Sequence, residues 1–119
     1  MLQQFEPGDY LIFQLESGYA LLRVLAVEGP DSDPVWHLAA FNELFMDVDS
    51  ADAAINTPGT LTVQNPHLAL TNHAFESTQV AKMGNAALAD EDRNGLIEWR
   101  NDPDRKIHDR SIRLLLGLR

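Results

Sequence analysis

The sequence predicts an α+β domain that is mainly β and is built on an antiparallel sheet. Three observations favour this class. Residues 8–28 have the pattern of a β-hairpin, and further short apolar runs are separated by turn residues such as Asn-Gly and Pro-Gly. Helical spacing of apolar residues is clearest near the C-terminus, at Ile112, Leu115 and Leu116.

The hairpin is the element that the sequence determines best. Ser17-Gly18 lies between two long apolar runs, and glycine readily supplies the positive φ of a tight hairpin turn. A two-residue loop at this position gives the cross-strand pairs Leu15–Ala20, Phe13–Leu22 and Leu11–Val24. All of these side chains lie on one face, so we expect that face to form the core.

The opposite face of the hairpin is too apolar to be left in water. It carries one charge, Arg23, among large side chains, namely Tyr10, Ile12, Leu21, Leu25 and Val27. We expect the Arg23 stem to lie along these neighbours with its charged end in water. A second layer must cover the rest. That layer is either Trp36, Phe41 and the C-terminal leucines, or another chain such as the second copy of a homodimer.

The Pro-Gly-Asp turn at residues 7–9, followed by a strand, a tight turn and a long strand, resembles the opening of many SH3-like barrels. This resemblance concerns the fold and carries no function. We therefore predict an SH3-like barrel or a strongly bent antiparallel sheet, with a short C-terminal helix packed on it. That helix begins after Ser111 or Asp109 and ends at Gly117.

The remaining elements are predicted from apolar runs and turn residues. Residues 35–41 form a third strand after an acidic loop, and residues 47–56 form a short helix with Ser50 as its N-cap. Two short strands are expected at 60–64 and 67–71. Asn94-Gly95 predicts a second hairpin, with strands at 86–90 and 96–100.

Composition sets the first limits on function. The chain has 119 residues and no cysteine, which predicts a single domain over residues 1–119 without disulfides or thiolate metal sites. The N-terminus has no basic, apolar leader, and no apolar run reaches the length of a membrane helix. We therefore expect a cytoplasmic protein.

The net charge of −9 is unevenly distributed along the chain. Residues 1–92 carry 14 Asp and Glu against two basic residues, a net charge of −12, whereas residues 93–119 carry a net charge of +3. An acidic body repels nucleic acid and anionic lipid and attracts a basic protein. We expect a basic protein partner, no nucleic acid and no membrane. The predicted contact residues are Asp31, Asp33, Trp36, Asp47, Asp49 and Asp52.

Residues 90–97 resemble the first eight positions of an EF-hand calcium loop. Asp90, Asp92 and Asn94 occupy ligand positions, and Gly95 occupies the sharp turn. The twelfth position is Asn101, where the loop requires a bidentate Glu. A small-molecule or calcium site at residues 90–95 is therefore an alternative to an acidic hairpin turn, and calcium is the one cofactor that the sequence suggests.

No motif marks a catalytic centre. The four histidines lack the i, i+4 spacing of a helical zinc site, and no nucleophile elbow or phosphate-binding loop is present. His37 lies in an apolar run and is expected to be a core or interface histidine, whereas His67 and His73 can approach each other across a turn. The remaining alternative is a small enzyme whose acid–base pair no motif identifies.

The layout Gly-Asp, strand, Gly-Tyr, strand with Arg, over residues 8–25, resembles the N-terminal segment of small bacterial immunity proteins of polymorphic toxin systems. Those proteins are acidic cytoplasmic binders that neutralise a toxin domain. The resemblance implies a non-catalytic protein-binding module that inhibits its partner. It covers this one segment of the 119 residues and assigns no binding residue.

Overall fold

A computed structural model describes residues 4–118 of the chain. The strands are β1 (Asp9–Leu15), β2 (Gly18–Glu28), β3 (Val35–Phe45), β4 (Val63–Thr71) and β5 (Ala81–Asn85). The helices are α1 (Val48–Ile55), α2 (Asn72–Thr78), α3 (Asn94–Asn101) and α4 (Ile112–Leu116). A 3-10 helix, Asp90–Arg93, leads directly into α3.

All five strands join one antiparallel sheet in the order β4-β3-β2-β1-β5. The strands β1, β2 and β3 are consecutive neighbours, so local chain reversals make the centre of the sheet. The strands β4 and β5 form its two edges, and within residues 4–118 no pairing joins them. The predicted α+β, mainly β class is confirmed, and the sheet is open rather than closed into a barrel.

The first hairpin has the predicted faces as far as Leu25 but a different register. Beyond that point a bulge between Val24 and Ala26 turns Val27, predicted on the opposite face, toward the core. Leu15 pairs with Gly18 and Phe13 pairs with Ala20, so the loop is residues 16–17 and the pairing is displaced by two residues. A shift of two residues preserves both faces because side chains alternate with period two. Gly18 does not have a positive φ. A Cβ at this position would collide with the carbonyl oxygen of Phe45, so the glycine allows β3 to approach closely.

One face of the sheet, here called the apolar face, is a core that α2 and α4 close. Its large buried side chains include Leu11, Phe13, Leu22, Leu38, Leu70, Phe75 and Ile112. Phe75 stacks on Trp36 with 4.0 Å between ring centroids, and the Trp36 Nε1–H donates to Asn72 Oδ1 at 3.0 Å. The indole is therefore buried with its polar atom satisfied.

The other face, here called the mixed face, carries both apolar and charged side chains, including Tyr10, Ile12, Arg23, His37 and Phe41. The helix α1 covers one end of this face, and residues 86–101 cover the other. The expected cover by Trp36 and the C-terminal leucines is wrong, because these residues belong to the apolar face. The mixed face is thus covered by other segments of the same chain.

Tertiary contacts override two local predictions. Residues 94–101 form α3, so Asn94-Gly95 does not form a hairpin turn. A Cβ on Gly95 would lie 3.0 Å from both the Pro66 oxygen and the His67 Cβ, so this glycine lets α3 pack closely on β4. The helix predicted at residues 47–56 is formed, but its N-cap is Asp47 rather than Ser50.

The edge strand β4 and the C-terminus complete the fold. One continuous strand runs from Val63 to Thr71 instead of the two short strands that the sequence predicts, and it tolerates Pro66 because it lies at an edge. The predicted C-terminal helix is formed and ends at Gly117, whose φ of 68° is left-handed. Within residues 4–118, no helix has the length and apolar character needed to cross a bilayer.

Candidate functional site

The acidic residues that the sequence predicts to bind a partner fall into two separate groups. Asp31 and Asp33 lie exposed in the β2–β3 loop, whereas Asp47, Asp49 and Asp52 lie exposed around the start of α1. The two groups flank opposite ends of β3, an 11-residue strand that extends over about 35 Å. The structure therefore does not bring them together in one surface.

Trp36, the aromatic contact residue that the sequence predicts, is a core residue and not a surface anchor. Its side chain is 1% exposed, and it is stacked under Phe75 of α2. Alternation along β3 turns this side chain to the apolar face, which α2 covers. Trp36 is therefore part of the core and does not belong to the predicted partner-binding surface.

Three exposed apolar side chains lie where β3 ends and α1 begins. Leu44, Met46 and Val48 are 54%, 89% and 44% exposed. Single exposed apolar residues are ordinary, but three within five positions form a patch. Acidic residues lie on both sides of this patch in the sequence. Glu43 precedes it, and the predicted contact residues Asp47, Asp49 and Asp52 lie within it or after it. We call residues 43–52 the β3–α1 corner.

Hydrogen bonds hold two carboxylates of the β3–α1 corner in place. Glu43 accepts from the Thr62 hydroxyl at 2.6 Å and from the Thr62 backbone N–H at 2.7 Å, and these bonds lower the pKa of Glu43. Asp47 accepts from the Ser50 backbone N–H at 2.7 Å, and hydrogen bonding from Ser50 lowers its pKa as well. Both side chains are therefore ionised at neutral pH.

The segment that resembles a calcium loop is helical. Asp90 and Asp92 lie in the 3-10 helix and Asn94 begins α3, so the EF-hand loop geometry is not formed. Asp92 Oδ2 instead accepts from the Ala89 N–H at 2.8 Å and from Arg23 Nη1 at 3.3 Å. Within residues 4–118, no group of three or more His, Cys, Asp or Glu is arranged to hold a metal ion. Calcium binding stays a prediction that titration under tryptophan fluorescence tests.

Arg23 is the charged centre of the mixed face. The residue is 8% exposed, so the expectation that its charged end lies in water is wrong. Its guanidinium donates to the carbonyl oxygens of Ala86 at 2.8 Å and Ala87 at 3.3 Å, and to Asp92. The Tyr10 ring lies 4.6 Å from the guanidinium carbon, a cation–π distance. Arg23 therefore ties the segment before α3 to the sheet.

The Arg23 guanidinium has more N–H donors than the neighbouring groups have acceptors for. Three hydrogen bonds occupy three of its N–H groups, and within residues 4–118 the buried Nε finds no acceptor. A buried donor without an acceptor costs about 1–3 kcal/mol. Two adjoining cavities of about 210 and 220 Å³ lie beside this side chain, and Arg23, Phe41, Val63 and Asp92 line both. We call these cavities the Arg23 groove.

A chain of polar side chains lies at another part of the mixed face, against α3. Arg100 Nη2 donates to Glu28 Oε2 at 2.8 Å, and Glu28 Oε1 lies 2.6 Å from His37 Nε2. The other nitrogen of that ring, His37 Nδ1, lies 2.8 Å from His67 Nε2. The Trp99 ring of α3 packs on both imidazoles, with centroid distances of 4.9 and 5.4 Å. We call this arrangement the histidine chain.

The two imidazoles of the histidine chain share one hydrogen bond, between His37 Nδ1 and His67 Nε2, in which one nitrogen donates and the other accepts. His37 Nε2 lies 2.6 Å from Glu28 Oε1 but makes no hydrogen bond of good geometry within residues 4–118. Burial lowers the pKa of His37 despite the nearby Glu28 carboxylate, and burial lowers the pKa of His67 to about 4. Both rings are therefore neutral at pH 7.

Comparison of the chain with protein-family models, curated protein sequences and solved structures gave no match. The resemblance of the hairpin to immunity proteins therefore stays a prediction. The functional inference rests on the β3–α1 corner and the Arg23 groove.

The contact between His37 and His67 was beyond sequence reasoning, which instead suggests that His67 approaches His73. In the structure His73 lies exposed on α2. The contact depends on the β3–β4 register, which places His37 opposite Ala69. The sequence did indicate that both histidines lie on the same face of the sheet. Each directly precedes a leucine of the apolar core, so alternation turns the histidine side chain away from that core. Alternation alone does not show that the two strands are neighbours.

Proposed function

We propose that the protein is a non-catalytic binding module whose β3–α1 corner holds a basic segment of a partner protein. It acts as an inhibitor of that partner, as the resemblance of its hairpin to immunity proteins implies. The observation that carries the proposal is the patch of Leu44, Met46 and Val48, exposed and set among carboxylates. This combination suits a partner surface with both apolar and basic side chains.

The apolar side chains of the β3–α1 corner supply area that a partner can bury. Met46 is 89% exposed, and its flexible thioether side chain adapts to the shape of a partner. Burying one large apolar side chain contributes about 1.5–3 kcal/mol. The patch therefore provides the apolar centre that protein interfaces have, and the surrounding carboxylates provide the polar rim.

The carboxylates determine which partner charge is favoured. Asp47, Asp49 and Asp52 fall within six consecutive positions of the chain. Such a cluster attracts lysine and arginine side chains, increases the association rate and makes binding sensitive to salt. The same cluster repels acidic proteins and nucleic acids.

The β3–α1 corner is held in one conformation before a partner arrives. Ala51 and Ala54 of α1 are buried, Asp47 caps the helix, and the hydrogen bonds between Glu43 and Thr62 tie the end of β3 to the neighbouring segment. Binding to a surface that is already ordered loses less conformational entropy. A rigid corner therefore supports affinity for a partner of matching shape.

A synthetic peptide with lysine and leucine at helical spacing tests this surface by isothermal titration calorimetry. We expect binding at low ionic strength that weakens steeply between about 0.05 and 0.5 M salt. The double variant Met46→Ser with Val48→Ser should weaken binding by about tenfold, since it removes apolar area. Asp49→Asn with Asp52→Asn should weaken binding by a similar factor, because it removes two charges.

Two controls separate the β3–α1 corner from the general acidity of the protein. Asp31→Asn with Asp33→Asn removes the same charge from the other end of β3 and should change the affinity by less than about twofold. A peptide in which glutamate replaces lysine keeps the apolar pattern and should not bind. Equal effects of the two aspartate pairs, or binding of the glutamate peptide, would show that the corner is not the binding surface.

A further inference from the structure

The Arg23 groove has the features of a ligand site rather than of a packing defect. Leu25, Ala39 and Pro66 line one of its two cavities, and Ala54, Ile55 and Leu61 line the other. The first cavity is lined mostly by apolar surface, whereas the second is lined mostly by polar surface and includes Tyr10, Thr57 and Gly59; Arg23 lines both. Mostly apolar walls with a few well-placed polar groups are typical of small-molecule sites.

The polar group in the groove is incompletely bonded. Arg23 is 8% exposed, its Nε has no acceptor within residues 4–118, and its Nη1 makes a single hydrogen bond of 3.3 Å to Asp92. A guanidinium has five N–H donors, and a buried donor without a partner is unfavourable. The Nε itself is closed off from the groove, so a ligand oxygen would accept from the second N–H of Nη1, which has no acceptor within residues 4–118.

The charges around the groove restrict the ligand. Asp92 already offsets the charge of Arg23, and the exposed Glu91 adds a second carboxylate to the lining. A ligand anion would be repelled by these two acids, and a ligand cation would compete with Arg23 for Asp92. We propose that the Arg23 groove binds a small neutral molecule with an apolar ring or chain and a carbonyl oxygen that accepts a hydrogen bond from Arg23.

The size of the groove sets an upper bound on this ligand. Each cavity has a volume of about 210–220 Å³, equivalent to about seven water molecules in the liquid. One substituted ring fills such a space. Leu44, Met46 and Val48 of the β3–α1 corner line neither cavity, so ligand binding here does not depend on the partner proposed for the corner.

Three ring compounds of nearly the same shape test the proposal on the intact chain. Benzamide is neutral and carries a carbonyl oxygen, benzoate is an anion, and benzylamine is a cation. We expect benzamide to shift the NMR resonance of the Arg23 Nε–H and those of residues around Phe41 in a saturable manner. The Kd for benzamide should be at least about fivefold lower than for either charged compound.

A substitution at the rim provides a test that leaves the buried arginine intact. Val63 lines both cavities and is 52% exposed, so Val63→Trp should fill the groove without entering the core. This variant should weaken benzamide binding by at least about tenfold. Ile107→Trp is the matched control, because Ile107 is 47% exposed and lies outside both the groove and the β3–α1 corner. It should leave the affinity within about twofold of the parent.

Three results would overturn the inference. The first is that none of the three compounds shifts resonances of the groove residues, which would show that the groove does not take a ligand of this size. The second is that benzoate or benzylamine binds as well as benzamide, which would show that the ligand class is wrong. The third is that Val63→Trp leaves benzamide binding unchanged, which would place the bound compound elsewhere.

Discussion

The two faces of the sheet are stabilised in different ways. On the apolar face, large side chains such as Phe13, Leu22 and Phe75 are 0–1% exposed and pack against one another. On the mixed face, Arg23 and His37 are also buried but make side-chain hydrogen bonds, Arg23 with backbone carbonyls and Asp92, and His37 with His67. Packing on one face thus contrasts with hydrogen bonding on the other.

The contrast explains why every candidate function falls on or beside the mixed face. An apolar core that is closed on both sides offers nothing to a ligand or a proton. A face covered by α1 and by residues 86–101 retains cavities, an incompletely bonded guanidinium and two neutral histidines. The apolar face therefore sets the stability of the fold, and the mixed face contains the groups that can respond to a ligand or to pH.

The largest expected loss of stability comes from a substitution on the apolar face. Phe75 is fully buried and stacks on Trp36, so Phe75→Ala should lower the free energy of unfolding by about 3–5 kcal/mol. Urea denaturation measures this loss. Phe75→Leu keeps more of the volume and should cost about 1–2 kcal/mol. Met46→Ala is the exposed control and should cost less than about 0.5 kcal/mol. Similar costs for Phe75→Ala and Met46→Ala would contradict the assignment of the core.

The next effect is an acid-induced loss of stability that originates on the mixed face. The unfolded His67 ring takes up a proton near the ordinary pKa of 6.5, whereas the buried ring takes it up at about 4. The unfolded state therefore binds more protons between these pH values, and stability falls as pH falls through this window. The full loss is at most about 3 kcal/mol and is complete near pH 4. Above pH 6.5 this contribution is fully present.

A pair of histidine variants checks the source of the acid effect. His67→Gln removes this titrating group but leaves His37, whose pKa burial also lowers, so the unfolding free energy should change less than in the parent, but not by zero, between pH 7 and pH 4.5, as measured by urea titration at each pH. His73 is exposed on α2, so His73→Gln should retain the acid loss of the parent. Equal pH dependence in the two variants would show that burial of His67 is not the cause.

A smaller effect is expected from the arginine of the mixed face. Arg23→Met keeps an unbranched apolar stem but removes the guanidinium and its bonds to Ala86, Ala87 and Asp92. It should cost about 2 kcal/mol, because two carbonyl groups lose a donor while one unsatisfied donor is also removed. Amide hydrogen exchange should accelerate in residues 86–101 more than in β2. A loss as large as that of Phe75→Ala would show that the two faces do not differ in this way.

Sequence reasoning recovered the faces of the central hairpin because period-two alternation survives a register shift. It missed the register itself, because Gly18 is required for the close approach of Phe45 and not for the turn. The same cause explains Asn94-Gly95, where contact with Pro66 and His67 favours a packed helix over a hairpin. In both places a glycine that locally predicts a turn is instead required for close packing between segments far apart in the sequence.

The candidate site was less predictable than the fold. The acids of the β3–α1 corner could be identified from the sequence, but Asp31 and Asp33 could not be assigned to a different surface without knowing the length and direction of β3. The burial of Arg23 depends on carbonyl groups that lie more than 60 residues away in the chain. Hydrophobic periodicity and secondary-structure propensity depend only on nearby residues. They therefore place side chains on a face of a strand or helix but do not show which segments cover that face.

The smallest effect comes from the N-caps of the two helices that cover opposite faces. Asp47 caps α1 on the mixed face, and Thr71 caps α2 on the apolar face. Asp47→Ala and Thr71→Ala should each remove about 1 kcal/mol from the helix that they cap. The helix α1 buries only small side chains, Ala51 and Ala54, so it can open while the apolar core remains intact.

The two cap variants should therefore differ in where the loss appears. Asp47→Ala should increase hydrogen exchange in α1 by about fivefold, which corresponds to 1 kcal/mol, with little change in the urea midpoint. Thr71→Ala should shift the midpoint itself, because α2 includes Phe75 and cannot open without exposing the core. If both variants shift the midpoint equally, α1 unfolds only together with the rest of the protein. The β3–α1 corner would then be as firmly held as the apolar face.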